Sequence, residues 1–168
     1  VEARRRDTPN FIREAQLEMI KALSKAKNAE EFKKTFPHAL DVLKKYAKEL
    51  AQKTVQAEDL LITKQLSIDP RDYAHNVFQA IAAMQLMKEG IEISAGQNVR
   101  YLITDAENRR IDRRVRAAEL IDNRTRYDVK KYLELLLSAG ANILGPFGYN
   151  VEKLRDLVIR NEKQVALN

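Results

Sequence analysis

Residues 60–104 read LLITKQLSIDPRDYAHNVFQAIAAMQLMKEGIEISAGQNVRYLIT, and the order strand, helix, two short strands that this stretch predicts decides the fold. Leu60-Leu61-Ile62-Thr63 is a short run of apolar and β-branched residues, which favours an extended, half-buried segment. Asp69-Pro70 interrupts it. Proline lacks only a donor that a first helical turn leaves unpaired, and the aspartate ahead of it can cap, so a helix start is predicted here. From His75 onward, Val77, Phe78, Ile81, Ala82, Met84 and Leu86 recur at three- and four-residue spacing, and Gly90 supplies a left-handed stop. Ile91 and Ile93 then share one side of a predicted strand, and Ala95-Gly96 turns the chain. Val99, Tyr101 and Ile103 alternate with polar neighbours in a hairpin-like return.

Working outward toward the N-terminus, Thr8-Pro9 predicts the cap and first turn of a helix reaching about Lys25, with Ile12, Gln16, Met19, Ile20 and Leu23 on its inner side. Arg4, Arg5 and Arg6 sit just ahead of it, where the helix dipole favours an anion; a solvated run and an anion site both fit those residues. Asn28 caps a second predicted helix. Phe32, Phe36, Ala39, Leu40, Leu43, Ala47 and Leu50 sustain it to about Lys53, and Pro37 is expected to kink it or split it in two. Its other face carries Lys33, Lys34, Lys44, Lys45, Lys48 and Lys53 between glutamates, the usual mark of a solvated surface.

Toward the C-terminus, Arg109, Arg110, Arg113, Arg114, Arg116, Arg124 and Arg126 crowd a stretch with few apolar residues and no helical period, read as a loop. A planar guanidinium fork holds two phosphate oxygens, so a phosphate-binding surface competes evenly with plain solvation. Ala117 to Leu120 predicts one short helical turn. Asp128 caps a long apolar helix, VKKYLELLLSAGANIL, which Gly145-Pro146 ends and in which Gly140 marks close packing. Phe147-Gly148-Tyr149 forms a turn, Asn150 caps, and Val151, Leu154, Leu157 and Val158 make a last helix of about ten residues.

A chain of 168 residues is the size of one ordinary domain and buries about 70% of its unfolded surface. The expected class is α+β: mostly helical, with helices flanking a small sheet of short, mainly antiparallel strands. One domain over 1–168 is expected, with N-terminal helices in 1–56, the strand and arginine block in 57–126, C-terminal helices in 127–162 and a tail in 163–168. No apolar run approaches ~20 residues and no signal-peptide core is visible, so no membrane partner and an intracellular location are expected. The absence of cysteine excludes a disulfide framework, thiolate zinc sites and a cysteine nucleophile. Thirty Lys plus Arg against 24 Asp plus Glu give +6, with a pI of 9.5, which permits a polyanionic partner without requiring one. His38 and His75 lack metal-spaced partners, and Asp69 and Asp72 are more simply a cap and a solvated acid. No phosphate loop, nucleophile elbow or zinc-protease motif occurs. No residue qualifies as catalytic.

ITKQLS followed by DPRDY, a helix ending KEG, then IEI, AG and an RYLI strand resembles the thumb of archaeal family B DNA polymerases. So does Glu2-Ala3-Arg4-Arg5-Arg6-Asp7 followed by Gln16, beside the family's E-x-x-R-R-D…Q. Arg110-Ile111 with Arg114, Tyr127-Asp128 with Tyr132, and Phe147-Gly148-Tyr149 follow in the family's order, so the likeness covers nearly the whole chain. No single motif is specific; six in order are. The resemblance implies a thumb that grips primer-template duplex DNA, part of a DNA-directed DNA polymerase and inactive alone. The metal-binding aspartates and their Mg2+ would lie on a palm borne by another chain or a missing segment, as in a polymerase divided before its thumb. It implies DNA-backbone contacts by Arg5, Arg6, Lys64, Ser67, Arg71, Tyr73, Arg110 and Arg114. Lys163-Gln164-Val165-Ala166-Leu167 resembles the start of the family's sliding-clamp peptide, with Gln164 and Leu167 in place and the two aromatics not present before Asn168, a motif read as cut short.

Departures limit that carry-over. Ile68 stands where many relatives have arginine, Ala74 where they have lysine, and Val77-Phe78-Gln79-Ala80 where they have G-P-H-V. Ala95-Gly96 stands for P-G, and Leu136-Leu137-Ser138-Ala139-Gly140 for Q-V-L-P-A. A non-catalytic basic helical adaptor for an acidic protein is the competing reading of the same charges.

Overall fold

In a computed structural model the described residues are 7–160, with the Arg160 side chain not described. Arg5, Arg6, Gln164 and Leu167 lie outside them. The fold is α+β, with α1 Asn10–Leu23, α2 Ala29–Ala51, β1 Ile62–Gln65, α3 Phe78–Lys88, β2 Asn98–Ile103, β3 Val115–Ala117, α4 Val129–Leu144 and α5 Val151–Arg155. Single 3-10 turns occupy Ala57–Leu60, Pro70–Asp72, Ile111–Arg113, Ala118–Leu120 and Gly145–Phe147, and a π-helical turn, Asp156–Arg160, continues α5. The described residues divide into two compact units, 11–55 with 132–160, and 56–131 with 7–10.

The first unit is helical. Along α1, Phe11, Ile12, Ala15, Gln16 and Met19 are buried, the three- and four-residue spacing of one helix face. Ile20, expected inside, is 46% exposed, because Phe11 and Ala15 place the buried stripe one residue away from it. Asn28 caps α2 by accepting a 2.9 Å bond from the Glu31 amide, as its position predicts. The helix expected to split at Pro37 is continuous over 23 residues. One lost hydrogen bond is tolerated there because the turn is fastened from outside: Phe32 packs on Phe147 with ring centroids 4.3 Å apart, and Phe36 stacks on Tyr149 at 4.2 Å.

Gly140 of α4 lets α2 approach closely. A Cβ there would lie 3.1 Å from Leu43 Cδ2 and 3.4 Å from Leu154 Cδ1, so the missing side chain is the space that Leu43 fills. Gln16 Nε2 donates to the Ala139 carbonyl at 3.3 Å in the same buried layer, whereas its Oε1 is buried without a partner among the described residues. Asn150 caps α5 through the Lys153 amide at 2.9 Å.

The second unit is a three-stranded antiparallel sheet, order β1-β2-β3, with α3 packed on β2 and β3. Ile62 pairs with Tyr101 and Lys64 with Val99; Tyr101 pairs with Ala117 and Ile103 with Val115. That register puts Ile62, Val99, Tyr101, Ile103, Val115 and Ala117 on one face, all buried, with Phe78 of α3 edge-on to Tyr101 at 6.1 Å. Two expectations change here. Ile91 and Ile93 form no strand: Ile91 is 43% exposed, and β2 spends its two edges on β1 and β3. The strand that does complete the sheet, β3, lies inside the arginine stretch read as a loop; its three residues are too few to show a period.

The Asp69-Pro70 start is real but short. Asp69 accepts the Arg71 amide at 2.9 Å and caps one 3-10 turn; Tyr73 is already extended, and α3 begins only at Phe78 after Val77. Gly96, at φ +91°, turns the chain so that its amide donates to the Leu66 carbonyl at 2.7 Å, closing β1 on β2.

Candidate nucleic-acid interface

The end of β1 and the 3-10 turn after it assemble the first group of nominated residues. The Ser67 amide donates to the Tyr73 phenolic oxygen at 3.0 Å, and the two hydroxyls lie 3.3 Å apart. The Ser67 hydroxyl and amide, by favouring the phenolate, draw the Tyr73 pKa below its ordinary value. Beside them, Arg71 sends Nε and Nη2 to the two carboxylate oxygens of Asp69, each at 3.0 Å. That bidentate bond and the Arg71 amide hold the Asp69 carboxyl at about 2. Arg71 is exposed and its fork is occupied, so a phosphate meeting it would have to displace or share Asp69.

Arg71 and Tyr73 also line an open groove of about 630 Å³ whose wall is α3, through Met84 and Lys88, and whose far rim carries Ile111 and Arg116. Ser67 reaches this groove only through Tyr73. Lys64 lies elsewhere, half-buried in β1 opposite Val99. Arg110 is exposed, with Nη2 3.5 Å from Asp112, a groove residue. Arg114 is half-buried, and its Nε donates to the Asn108 carbonyl at 2.8 Å, so part of the arginine stretch serves its own backbone. Arg116 and Arg126 do likewise, to the Leu120 carbonyl at 3.2 Å and the Asn123 carbonyl at 2.8 Å. Arg109 and Arg113 are exposed, with no side-chain partner among the described residues.

Two features escaped the sequence reading. Gln85, buried in α3, donates Nε2 to the carbonyls of Val115 at 2.8 Å and Asp112 at 3.0 Å, and its Oε1 accepts the Ala117 amide at 2.8 Å. It fixes the arginine-bearing strand to the helix. The signal was a lone glutamine within an apolar helix run. The second is Arg100: the alternation of Val99, Tyr101 and Ile103 already turns it to the opposite sheet face, where it is exposed 3.6 Å from Glu119, on the side shared with Leu102 and Arg116.

Among the described residues, no group of three or more His, Cys, Asp or Glu is placed to hold a metal ion. No described helix is long and apolar enough to cross a membrane. A sequence model of DNA polymerase family B matches residues 1–147. The chain belongs to that family. Similar to it are the DNA polymerases of Thermococcus sp. (strain 9oN-7), 31% identical over 164 residues, and of Thermococcus gorgonarius, 30% identical; each alignment covers 97% of this chain and 20% of the relative. For the Thermococcus kodakarensis polymerase, 28% identical, the shares are 98% and 9%. This family B chain thus spans 9 to 20% of the length of these relatives. Its fold resembles part of the family B DNA polymerase from Pyrobaculum calidifontis, with a TM-score of 0.70 and 21% identity over 86% of this chain and 18% of that one.

Proposed function

We propose that this part of a family B DNA polymerase is the thumb, which grips primer-template duplex by its phosphates and holds the primer end for nucleotidyl transfer elsewhere. The observation that carries the reading is the exposed cation set of the sheet unit: Arg71, Arg100, Arg109, Arg110 and Arg113, displayed from short turns and strands with neutral donors at Ser67 and Tyr73. Sequence-independent grip needs that chemistry and no base-reading element. Arg5, Arg6, Lys64 and Arg114 join the set as nominated contacts, and Gln164 with Leu167 as a partial sliding-clamp anchor.

The palm aspartates and their Mg2+ belong to other polypeptide in this reading, and the segment alone transfers no nucleotide. Its effect on turnover is through placement, since a primer end displaced by about 1 Å costs roughly 10²-fold in rate. The reading extends to a divided enzyme with the palm on a separate chain, for which co-purification with a palm-bearing polypeptide is the test.

Anisotropy of a labelled primer-template duplex at 50 and 200 mM salt tests the grip. About five phosphate contacts predict an affinity loss of roughly 500-fold between those salts, with little dependence on sequence. Arg110→Ala with Arg113→Ala should remove about two contacts from that slope. A chain that binds no duplex at 50 mM, or binds without a salt response, overturns the reading.

A further inference from the structure

The helical unit has its own basic groove. Lys21 of α1, Lys25 in the turn after it, and Lys34, Thr35 and His38 of α2 line an open cavity of about 660 Å³ with one carboxylate, Glu18. That carboxylate is committed: Tyr46 Oη donates to its Oε1 at 2.7 Å and Lys45 Nζ to its Oε2 at 2.9 Å. Lys25 and Lys34 have no side-chain partner among the described residues. Three lysines, from α1, the turn after it and α2, therefore line a space whose single lining acid is already spoken for.

We infer that this groove is a second phosphate-contacting site, which takes the phosphodiester backbone of nucleic acid. The inference rests on the duplex-gripping reading and adds a contact surface on the helical unit to the one on the sheet unit. Charge complementarity selects the occupant. The apolar floor is only Ala22 and Val42, with no aromatic or large aliphatic pocket to anchor a protein partner, whereas a phosphate needs only cations; the Thr35 hydroxyl is spent on the Phe32 carbonyl at 2.9 Å. Lysine, a point charge on a flexible stem, suits contact that ignores sequence.

The experiment compares Lys25→Ala/Lys34→Ala with a control of equal net charge, Lys33→Ala/Lys48→Ala, outside the groove. Labelled primer-template duplex is titrated with each at 50 and 200 mM salt. Loss of two phosphate contacts predicts that wild type and control lose roughly 12-fold more affinity between those salts than the groove variant does. An unchanged slope in the groove variant, or an equal change in the control, overturns the site while leaving the duplex grip standing. Wild type that binds no duplex at 50 mM overturns the grip and the site together. Polyglutamate that binds wild type but not the groove variant, with duplex salt slopes alike in the two, assigns the groove to an acidic protein and overturns the inference.

Discussion

In the helical unit, elements meet through apolar side chains: Leu43 of α2 fills the space over Gly140, Leu154 closes the same layer, and two ring pairs fasten α2 to Phe147 and Tyr149. In the sheet unit, elements are tied through polar side chains that bond to backbone. Gln85 holds three backbone groups of the segment running into β3, Thr104 Oγ1 donates to the Arg113 carbonyl at 2.7 Å, and Asp128 accepts the amides of Ala106 at 2.8 Å and Lys131 at 2.9 Å. The sheet unit buries an apolar face as well, and its polar side chains add fixed points for the backbone of short strands and turns. The unit with the polar ties is the one that displays the arginines.

That contrast breaks most readily at Leu43. Leu43→Ala removes a fully buried side chain opposite a glycine that has nothing to move into the gap, and should cost about 3 kcal/mol in urea unfolding. A cost under about 1 kcal/mol would mean the layer collapses and the helical unit is not held by packing at this point. In the sheet unit, Gln85→Leu keeps apolar bulk but strands the Ala117 amide and two carbonyls, an expected loss of about 2 kcal/mol together with faster hydrogen exchange at the Ala117 amide. A leucine variant as stable as wild type would erase the distinction between the units.

The smallest effect concerns Asp69. Its carboxyl lies below the usual 3.8, at about 2, so the folded state favours the carboxylate. The resulting stabilisation is present above pH 3.8 and is lost as pH falls through about 2; the surface position of the pair makes it slight. A carbon-detected titration of Asp69 should show a midpoint near 2 that returns toward 3.8 in Arg71→Ala. An unshifted wild-type midpoint would mean Arg71 stands free, its fork open to phosphate without displacement of Asp69.

Periodicity and caps made the helices legible: Asn28, Asp128 and Asn150 cap where their spacing places them, and Gly140 marks the close approach. Pro37 misled because a local rule about one missing donor knows nothing of Phe147 and Tyr149, more than a hundred residues away in sequence. The arginine nominations came from residue type and family order, which cannot tell Arg114, turned to the Asn108 carbonyl, from Arg113, exposed beside it.

The sequence by itself determined most of each helix face, the Asn28, Asp128 and Asn150 caps, the glycine positions and the family, because each depends on residues near one another along the chain or on motifs in order. Only the tertiary structure decided that β3 lies within the arginine stretch and that Gln85 fastens it. It also decided that Ile91 and Ile93 stay outside the sheet and that Lys25 and Lys34 face one groove. β3 finds its ladder partners in β2 12 to 16 residues back and its side-chain tie in Gln85 30 to 32 residues back, and a three-residue strand carries no pattern from which to read either.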